Sequence, residues 1–346
     1  TEPSAGHTYA GGGDMETSDY RECGFLGIDW ELHNNHYRIK RIVRPATWDN
    51  EVRAPFDKPG VAVKAGDYIL AVNGQPLDPA IDPYAVLEGK SGKTIVLLVN
   101  DKASTQNARE VTIKALTQAQ EVRLRHLEWI ESNRKKVEEL SGGQLGYMYM
   151  PNTGVDGQTE LLRQFYAQVH KKGFVIDERF NAGGQLADRF IEMLNRPVLY
   201  NIAWRNAHVT VWPVKANDGP KVMLINGWAG SGGDAFPWAF QQLKLGPIIG
   251  ERTLGILVGP ATSHSLIDGG YITVPDARLY GADGKWFAEG YGVKPDIEVW
   301  DDPVELVKGN DPQLKRAVEE CMKLVQTKPR KLYPRPAFEN RTAAGF

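Results

Sequence analysis

Between Leu145 and Leu243 the chain repeats one pattern, a short apolar run, a loop and a segment of helical spacing, and this alternation constrains the fold more than any other feature. Leu145 to Met150, Phe174 to Asp177 and Val222 to Ile225 read as buried strands; Thr159 to His170, Leu186 to Leu194 and Ala235 to Leu243 read as helices. Strands alternating with helices predict an α/β domain, a parallel-containing sheet with crossover helices. In such sheets, sites gather in the loops beyond the carboxyl ends of the strands.

Two glycine-bearing loops fall at such ends. One is Asn226-Gly-Trp-Ala-Gly-Ser-Gly-Gly-Asp234, whose serine, Ser231, stands at the start of a helix. Unpaired amides and the positive end of the helix dipole would stabilise an oxyanion formed beside its hydroxyl. A Gly-x-Ser turn is also an ordinary helix cap. The second loop is Glu178-Arg-Phe-Asn-Ala-Gly-Gly184. Acyl transfer needs a nucleophile and two N–H donors converging on the developing oxyanion, and Gly232 and Gly183 are the natural donors because glycine permits close backbone approach. A tight turn into a helix would use the same residues.

The 346 residues exceed one ordinary core and predict two domains. With 41 basic and 43 acidic residues the net charge is -2, which points to neither nucleic acid nor an anionic membrane as partner. Cys23 and Cys321 lack metal-like spacing and read as buried thiols, and no metal site or cofactor is indicated. No apolar run reaches the length of a membrane span, and the start, Thr1-Glu-Pro-Ser-Ala-Gly6, has no initiator methionine or signal-peptide layout. A mature product or an excised fragment fits that start.

Residues 1–22 are polar and glycine-rich, with His7 the residue of chemical potential; a histidine in such an arm is commonly solvent-exposed and idle. From Gly24 to Leu116 strands dominate: Tyr37 to Val43 alternates, Tyr68 to Val72 ends in an Asn73-Gly74 turn, and Thr94 to Val99 and Val111 to Ile113 come after it. Gly24-Phe-Leu-Gly27 and Lys64-Ala-Gly-Asp-Tyr-Ile-Leu-Ala-Val-Asn-Gly74 resemble the carboxylate-binding loop and the strand-and-turn core of PDZ domains. Such a loop, here Gly24, Phe25, Leu26 and Gly27, offers backbone N–H donors to a chain-terminal carboxylate while the strand edge adds the peptide. An amphipathic helix extends from Gln118 to Leu140, with Val122, Leu127, Ile130, Val137 and Leu140 as its apolar positions. In the last third, His264 comes after Pro260-Ala-Thr-Ser and could act as a base, and Glu289 would by default be a solvated loop carboxylate. Gly269 to Val299 reads as hairpin strands and turns, with Asp283-Gly284 a turn signal, and Gln313 to Val325 as a helix before a basic tail.

A PDZ-like module succeeded by Asp177-Glu-Arg-Phe-Asn-Ala-Gly-Gly184, Ser231-Gly-Gly-Asp234, Gly250-Glu-Arg-Thr-Leu-Gly255 and Glu289-Gly-Tyr-Gly-Val-Lys-Pro-Asp-Ile-Glu298 resembles the carboxyl-terminal-processing protease superfamily over nearly the whole chain. The resemblance implies a ClpP/crotonase-like α/β domain. In the tail-specific members a lysine after the "GERT" motif is the base, and Ile256 stands there in this chain; isoleucine cannot accept a proton. In the tricorn-type members a histidine ahead of the PDZ domain is the base and a late glutamate completes a relay. His7-Thr-Tyr-Ala-Gly-Gly-Gly-Asp14 resembles that histidine element, Ser231 matches the nucleophile and Glu289 the glutamate.

The resemblance therefore implies a serine peptidase acting on short or unfolded peptides through Ser231, His7 and Glu289, with Gly183 and Gly232 as oxyanion donors, no cofactor, a cytoplasmic location and a homo-oligomer, hexameric in the family. It divides the chain into 1–22, the remnant of an upstream catalytic subdomain, 23–116, PDZ-like, and 117–346, the protease domain. One departure is Gly6, where the family has a serine before the histidine; Ser4 is too weakly placed to take that role. Glu289 would then orient His7 directly or through water. Gly6 and the absence of upstream propeller sequence motivate the alternative, a catalytically impaired peptide-binding scaffold. The predicted pocket segment, Leu199-Tyr-Asn-Ile-Ala-Trp204, has no acidic residue to select a basic side chain.

Overall fold

A computed structural model of the chain describes residues 6–14, 21–185, 187–331 and 333–337, with the side chains of 260–262 left aside. Ser4 and Leu186 lie outside the described residues. The chain forms two compact units. One comprises Glu16–Asn133, and the other the described parts of Thr1–Met15 and Arg134–Phe346.

The 16–133 unit is built on an antiparallel sheet in the order Ile28–His33, His36–Ile42, Tyr68–Val72, Thr94–Asn100, Arg109–Lys114, with Gln75–Pro76 paired to Tyr68–Val72. Its inward positions, among them Ile28, Ile39, Ile69, Leu97 and Ile113, form one apolar core. The helix Gln118–Leu140 is as expected in extent but not in face. Val122 and Leu140 are exposed, whereas Leu124, Leu127 and Val137 are buried with Glu121 and Asn133.

The other unit carries a parallel sheet in the order Ile297–Glu298, Ile248–Gly250, Lys221–Ile225, Gly173–Asp177, Leu145–Tyr149. The three longest strands are buried at every residue, which explains their unbroken apolar runs. Phe165, Phe174, Phe190, Phe236 and Phe240 fill the core between the sheet and the helices Val155–Gln168, Ala187–Leu194 and Gly232–Gln242. Burying one such side chain contributes about 1.5–3 kcal/mol. No helix among the described residues is long and apolar enough to cross a membrane. Cys321 is buried as expected; Cys23 is only half-buried.

The expected strands and turns over 269–299 are met in part, with a turn at Asp283-Gly284 closed by the Tyr280–Trp286 bridge, but the paired hairpin begins earlier. The strands are Gly259–Ser265 and Tyr271–Ala277, and the chain from there to Ile297–Glu298 is mostly turn and loop. Ala10–Gly11 adds to this pair as a third strand, opposite Ile272 and Tyr271. The glycine-rich arm is thus tied into a sheet. A local reading of polarity misses this because the pairing partner lies more than 250 residues away.

At the carboxyl edge of the parallel sheet, Arg179 is 2 % exposed and fixes the second glycine loop. Its guanidinium donates to both Asp177 oxygens at 2.9 and 2.7 Å and pairs with Asp311 at 2.9 Å, while Asp177 also accepts the Tyr147 hydroxyl at 2.9 Å. Asp311 caps the helix Pro312–Thr327. Arg179→Met leaves two buried carboxylates without their cation, and we expect a loss of about 3–5 kcal/mol in urea unfolding. An unchanged midpoint would remove Arg179 from this role.

Candidate active site

Three loops leave the carboxyl ends of adjacent parallel strands: 226–231 after Lys221–Ile225, 178–184 after Gly173–Asp177, and 251–258 after Ile248–Gly250. Ser231 caps the helix Gly232–Gln242 and holds φ 58° and ψ −114°, a conformation costing a non-glycine residue about 1–3 kcal/mol. Main-chain bonds over-determine it. The Ser231 N–H donates to Asp234 Oδ2 at 2.9 Å, and the Ser231 carbonyl accepts the N–H of Asp234 and Ala235 at 2.8 and 3.0 Å.

Asp234 binds this turn to its neighbour. Its carboxylate also accepts the Thr253 hydroxyl, Gly255 N–H at 2.9 Å and Ile256 N–H at 3.0 Å. Burial pushes its pKa up, and these four donors oppose that rise. Sequence pattern gave Asp234 no role, although a serine with an acid three residues later is a capping signal.

Loop 178–184 lies directly against Ser231. A Cβ on Gly183, which has φ 84°, would come within 2.8 Å of Ser231 Cβ and 3.2 Å of its Oγ. A Cβ on Gly232 would overlap the Thr153 hydroxyl and the Gly184 carbonyl. The Gly232 N–H, first in its helix, has no acceptor among the described residues. The Gly183 N–H is different: it donates to Asn181 Oδ1 at 2.9 Å. Of these two amides, one is thus without an acceptor among the described residues and the other is occupied.

His7 is buried, 8 % exposed, and its Nδ1 has no hydrogen-bond partner among the described residues. Its carbonyl accepts the Thr273 hydroxyl at 2.7 Å, and Thr273 also binds both main-chain groups of Tyr9. Glu289 reaches the arm through the main chain. Oε1 accepts Gly6 N–H at 3.1 Å, and Oε2 accepts Leu257 and Val258 N–H, both at 2.6 Å. Burial acts to raise the Glu289 pKa, but these three N–H groups and the nearby His7 hold it below the usual range. Of the two expected arrangements, direct or through water, the direct one is not seen: no hydrogen bond among the described residues joins the Glu289 carboxylate to the imidazole.

Ile256 brings the two halves together. A Cβ on Gly6 would overlap the Ile256 side chain and its Cα, and a Cβ on Gly230 would come within 2.9 Å of Ile256 Cγ1. The residues immediately before His7 and before Ser231 therefore pack on one isoleucine, at the position where a lysine base would stand. The two departures from the family pattern, Gly6 and Ile256, are in contact, and no serine side chain fits at residue 6 beside this isoleucine. The rival base, His264, is exposed in the strand Gly259–Ser265, opposite Ile272.

In the 16–133 unit the loop Gly24, Phe25, Leu26, Gly27 is largely engaged within its own chain. Gly24 N–H donates to Leu87 O at 2.8 Å, Phe25 N–H to Leu116 O at 2.9 Å, and Gly27 N–H to Glu121 Oε2 at 2.9 Å. The open row of donors that its sequence suggests is thus not present. A carboxylate from the helix Gln118–Leu140, paired with Arg125 at 2.8 Å, occupies part of it. The segment Leu199–Trp204 contributes the strand Tyr200–Ile202, paired with Thr210–Trp212, and exposes Leu199, Tyr200 and Trp204.

Residues 24–118 match the family described as tricorn protease PDZ domain, and residues 144–299 match peptidase family S41. Tricorn protease homolog 1 of Streptomyces coelicolor is 35 % identical over 315 residues, 90 % of this chain and 29 % of its own length. Tricorn protease of Thermoplasma acidophilum is 29 % identical over 332 residues, 96 % of this chain and 30 % of its own. The crystal structure of the tricorn protease superimposes with a TM-score of 0.85 at 28 % identity, over 93 % of this chain and 31 % of that one. The chain thus spans about a third of the length of these relatives.

The contact between residues 6 and 256 is open to a double-mutant cycle. Gly6→Ser is expected to displace the arm and lower stability, and Ile256→Ala to relieve much of that loss in the double variant; strictly additive effects would sink the contact. Anchoring through Glu289 has a signed pH dependence. Since its folded pKa is depressed, the stabilisation is complete above the ordinary glutamate value of about 4.3 and is lost as pH falls through the lower folded value. Acid titration followed at the Gly6 amide resonance should show this release, and Glu289→Ala should abolish it.

Proposed function

Because the chain belongs to the tricorn-like members of peptidase family S41, we propose that it is a serine peptidase in which Ser231 is the nucleophile and His7 the base. The observation that carries this reading is the convergence of Gly6 and Gly230, the residues preceding base and nucleophile, on the Ile256 side chain. His7 is the buried histidine on that side, with Nδ1 unpartnered among the described residues. His264, exposed on its strand, has no comparable support.

In the proposed reaction Ser231 Oγ attacks the peptide carbonyl carbon while His7 takes the hydroxyl proton. Gly232 N–H and Gly183 N–H receive the oxyanion. The imidazolium then gives its proton to the departing amine, and water repeats the sequence on the acyl-enzyme. Glu289 supports the imidazolium by charge, and fixes the arm through Gly6 N–H rather than by gripping the ring. The short strand Ala10–Gly11 and the Thr273 contacts hold His7 at a constant height on the same unit as Ser231. Parallel strands with crossover helices support the crotonase-like reading of this domain.

Short or unfolded peptides are the proposed substrates, and exposed Leu199, Tyr200 and Trp204 fit an apolar side chain better than a charged one. A homo-oligomer, hexameric by resemblance, belongs to the same reading. Fluorophosphonate labelling and turnover of a mixed peptide library test it. Ser231→Ala should lose all labelling, and His7→Gln should lower kcat by at least about 10³-fold. His264→Gln should leave both unchanged. Equal labelling of wild type and Ser231→Ala, or silence in His264→Gln alone, would overturn the assignment.

A further inference from the structure

Gly183 packs against Ser231, and its amide is taken by Asn181, so that amide has to be released before it can serve an oxyanion formed at Ser231. The surroundings of Asn181 indicate how. Asn181 is fully buried, and the Gly183 N–H fixes which end of its amide is oxygen. Its other end, Nδ2, is buried without a hydrogen-bond partner among the described residues. Glu178, one turn earlier in the same loop, is also fully buried, and neither of its carboxyl oxygens has such a partner. The Asn181 amide is near enough to act on the Glu178 carboxyl, yet no well-formed hydrogen bond joins them. Three unpartnered polar atoms in one buried pocket behind a nucleophile call for an explanation.

We propose that Asn181 is a gate on the oxyanion site, closed when Oδ1 accepts the Gly183 N–H and open when the side chain turns so that Oδ1 accepts a hydrogen bond from the Glu178 carboxyl. This inference rests on Ser231 being the nucleophile and adds to it two positioning residues, Asn181 and Glu178. The carboxyl can donate in its protonated form, which its surroundings favour. Burial, then the facing carboxylates Asp234 from the helix Gly232–Gln242 and Asp177 from the strand Gly173–Asp177, push its pKa well above the usual range. Arg179 does not offset this, being directed to Asp177 and Asp311.

Hydrogen-bond bookkeeping favours such an exchange. When the Gly183 N–H is given up to the oxyanion, Asn181 Oδ1 would become a buried acceptor with nothing to accept. The Glu178 hydroxyl supplies the missing donor, so opening conserves the number of hydrogen bonds instead of forfeiting one. The turn itself is stiff elsewhere: Asn181 N–H donates to Glu178 O at 3.1 Å and Gly230 N–H to Asn181 O at 3.2 Å, so the side chain can move while the main chain stays.

The test is a crystal structure of the wild-type protein carrying a fluorophosphonate adduct on Ser231, whose phosphoryl oxygen occupies the oxyanion position, together with kinetics of two Glu178 variants. In the adduct, Gly183 N–H is expected on the phosphoryl oxygen and Asn181 Oδ1 on Glu178. Glu178→Leu, which removes the donor, should lower kcat roughly ten- to hundredfold with KM little changed. Its Tm should not fall, because a buried unpartnered carboxyl has been removed. Glu178→Gln restores a donor and should recover kcat to within about threefold of wild type. At alkaline pH wild type should lose kcat as Glu178 ionises, and Glu178→Gln should not.

An adduct in which Gly183 N–H remains on Asn181 overturns the gate while leaving Ser231 as nucleophile. So does an unchanged kcat in Glu178→Leu. Failure of Ser231 to label at all removes the underlying reading and the gate together. Should Glu178→Leu not fold, the adduct structure decides by itself.

Discussion

One buried carboxylate, Asp234, is the interaction on which the candidate site depends. It accepts from Ser231 N–H, Thr253 hydroxyl, Gly255 N–H and Ile256 N–H, so a single side chain holds the strained Ser231 turn and the neighbouring loop at once. A carboxylate removed from water persists in the charged form only when such donors replace the water. The same bonds aim Ile256 between Gly6 and Gly230, so the placement of the arm derives from the cap of a helix.

The second constraint is the space around glycine. Gly183, Gly232, Gly230 and Gly6 each lie where a Cβ would meet Ser231, Thr153 with Gly184, or Ile256. Of these, Gly183 is the one that packs on the Ser231 side chain itself. Gly6 is then the residue that an isoleucine at 256 demands. Its lack of a serine hydroxyl is matched by Glu289 binding the arm through the Gly6 amide instead. The arm is thus held through its main chain, at Gly6 N–H and the His7 carbonyl.

Glu178 and Asn181 show the opposite economy. Alongside His7 Nδ1 and Thr153 Oγ1, these two carry buried atoms with no hydrogen-bond partner among the described residues. Unsatisfied groups of this kind belong to a state with an alternative partner, and local polar imbalance of this sort is expected where a protein must move.

Period and burial are local properties of a chain, and so the parallel α/β unit, the antiparallel unit ahead of it and the two glycine loops at the strand ends were all legible in the order of residues. Val222 to Ile225 is apolar throughout since both faces of its sheet are covered, and Ser231 comes after it at a helix start for reasons contained in a dozen residues. Other features belong to the folded chain alone: the arm pairs with Tyr271–Ala277, Glu289 binds Gly6 N–H and not the imidazole, Gly27 N–H is already taken by Glu121, and Gly183 N–H is held by Asn181. Each of these is a choice among many acceptors for one donor. That choice is made by which groups folding brings within about 3 Å, and with separations reaching 283 residues, no local pattern records it.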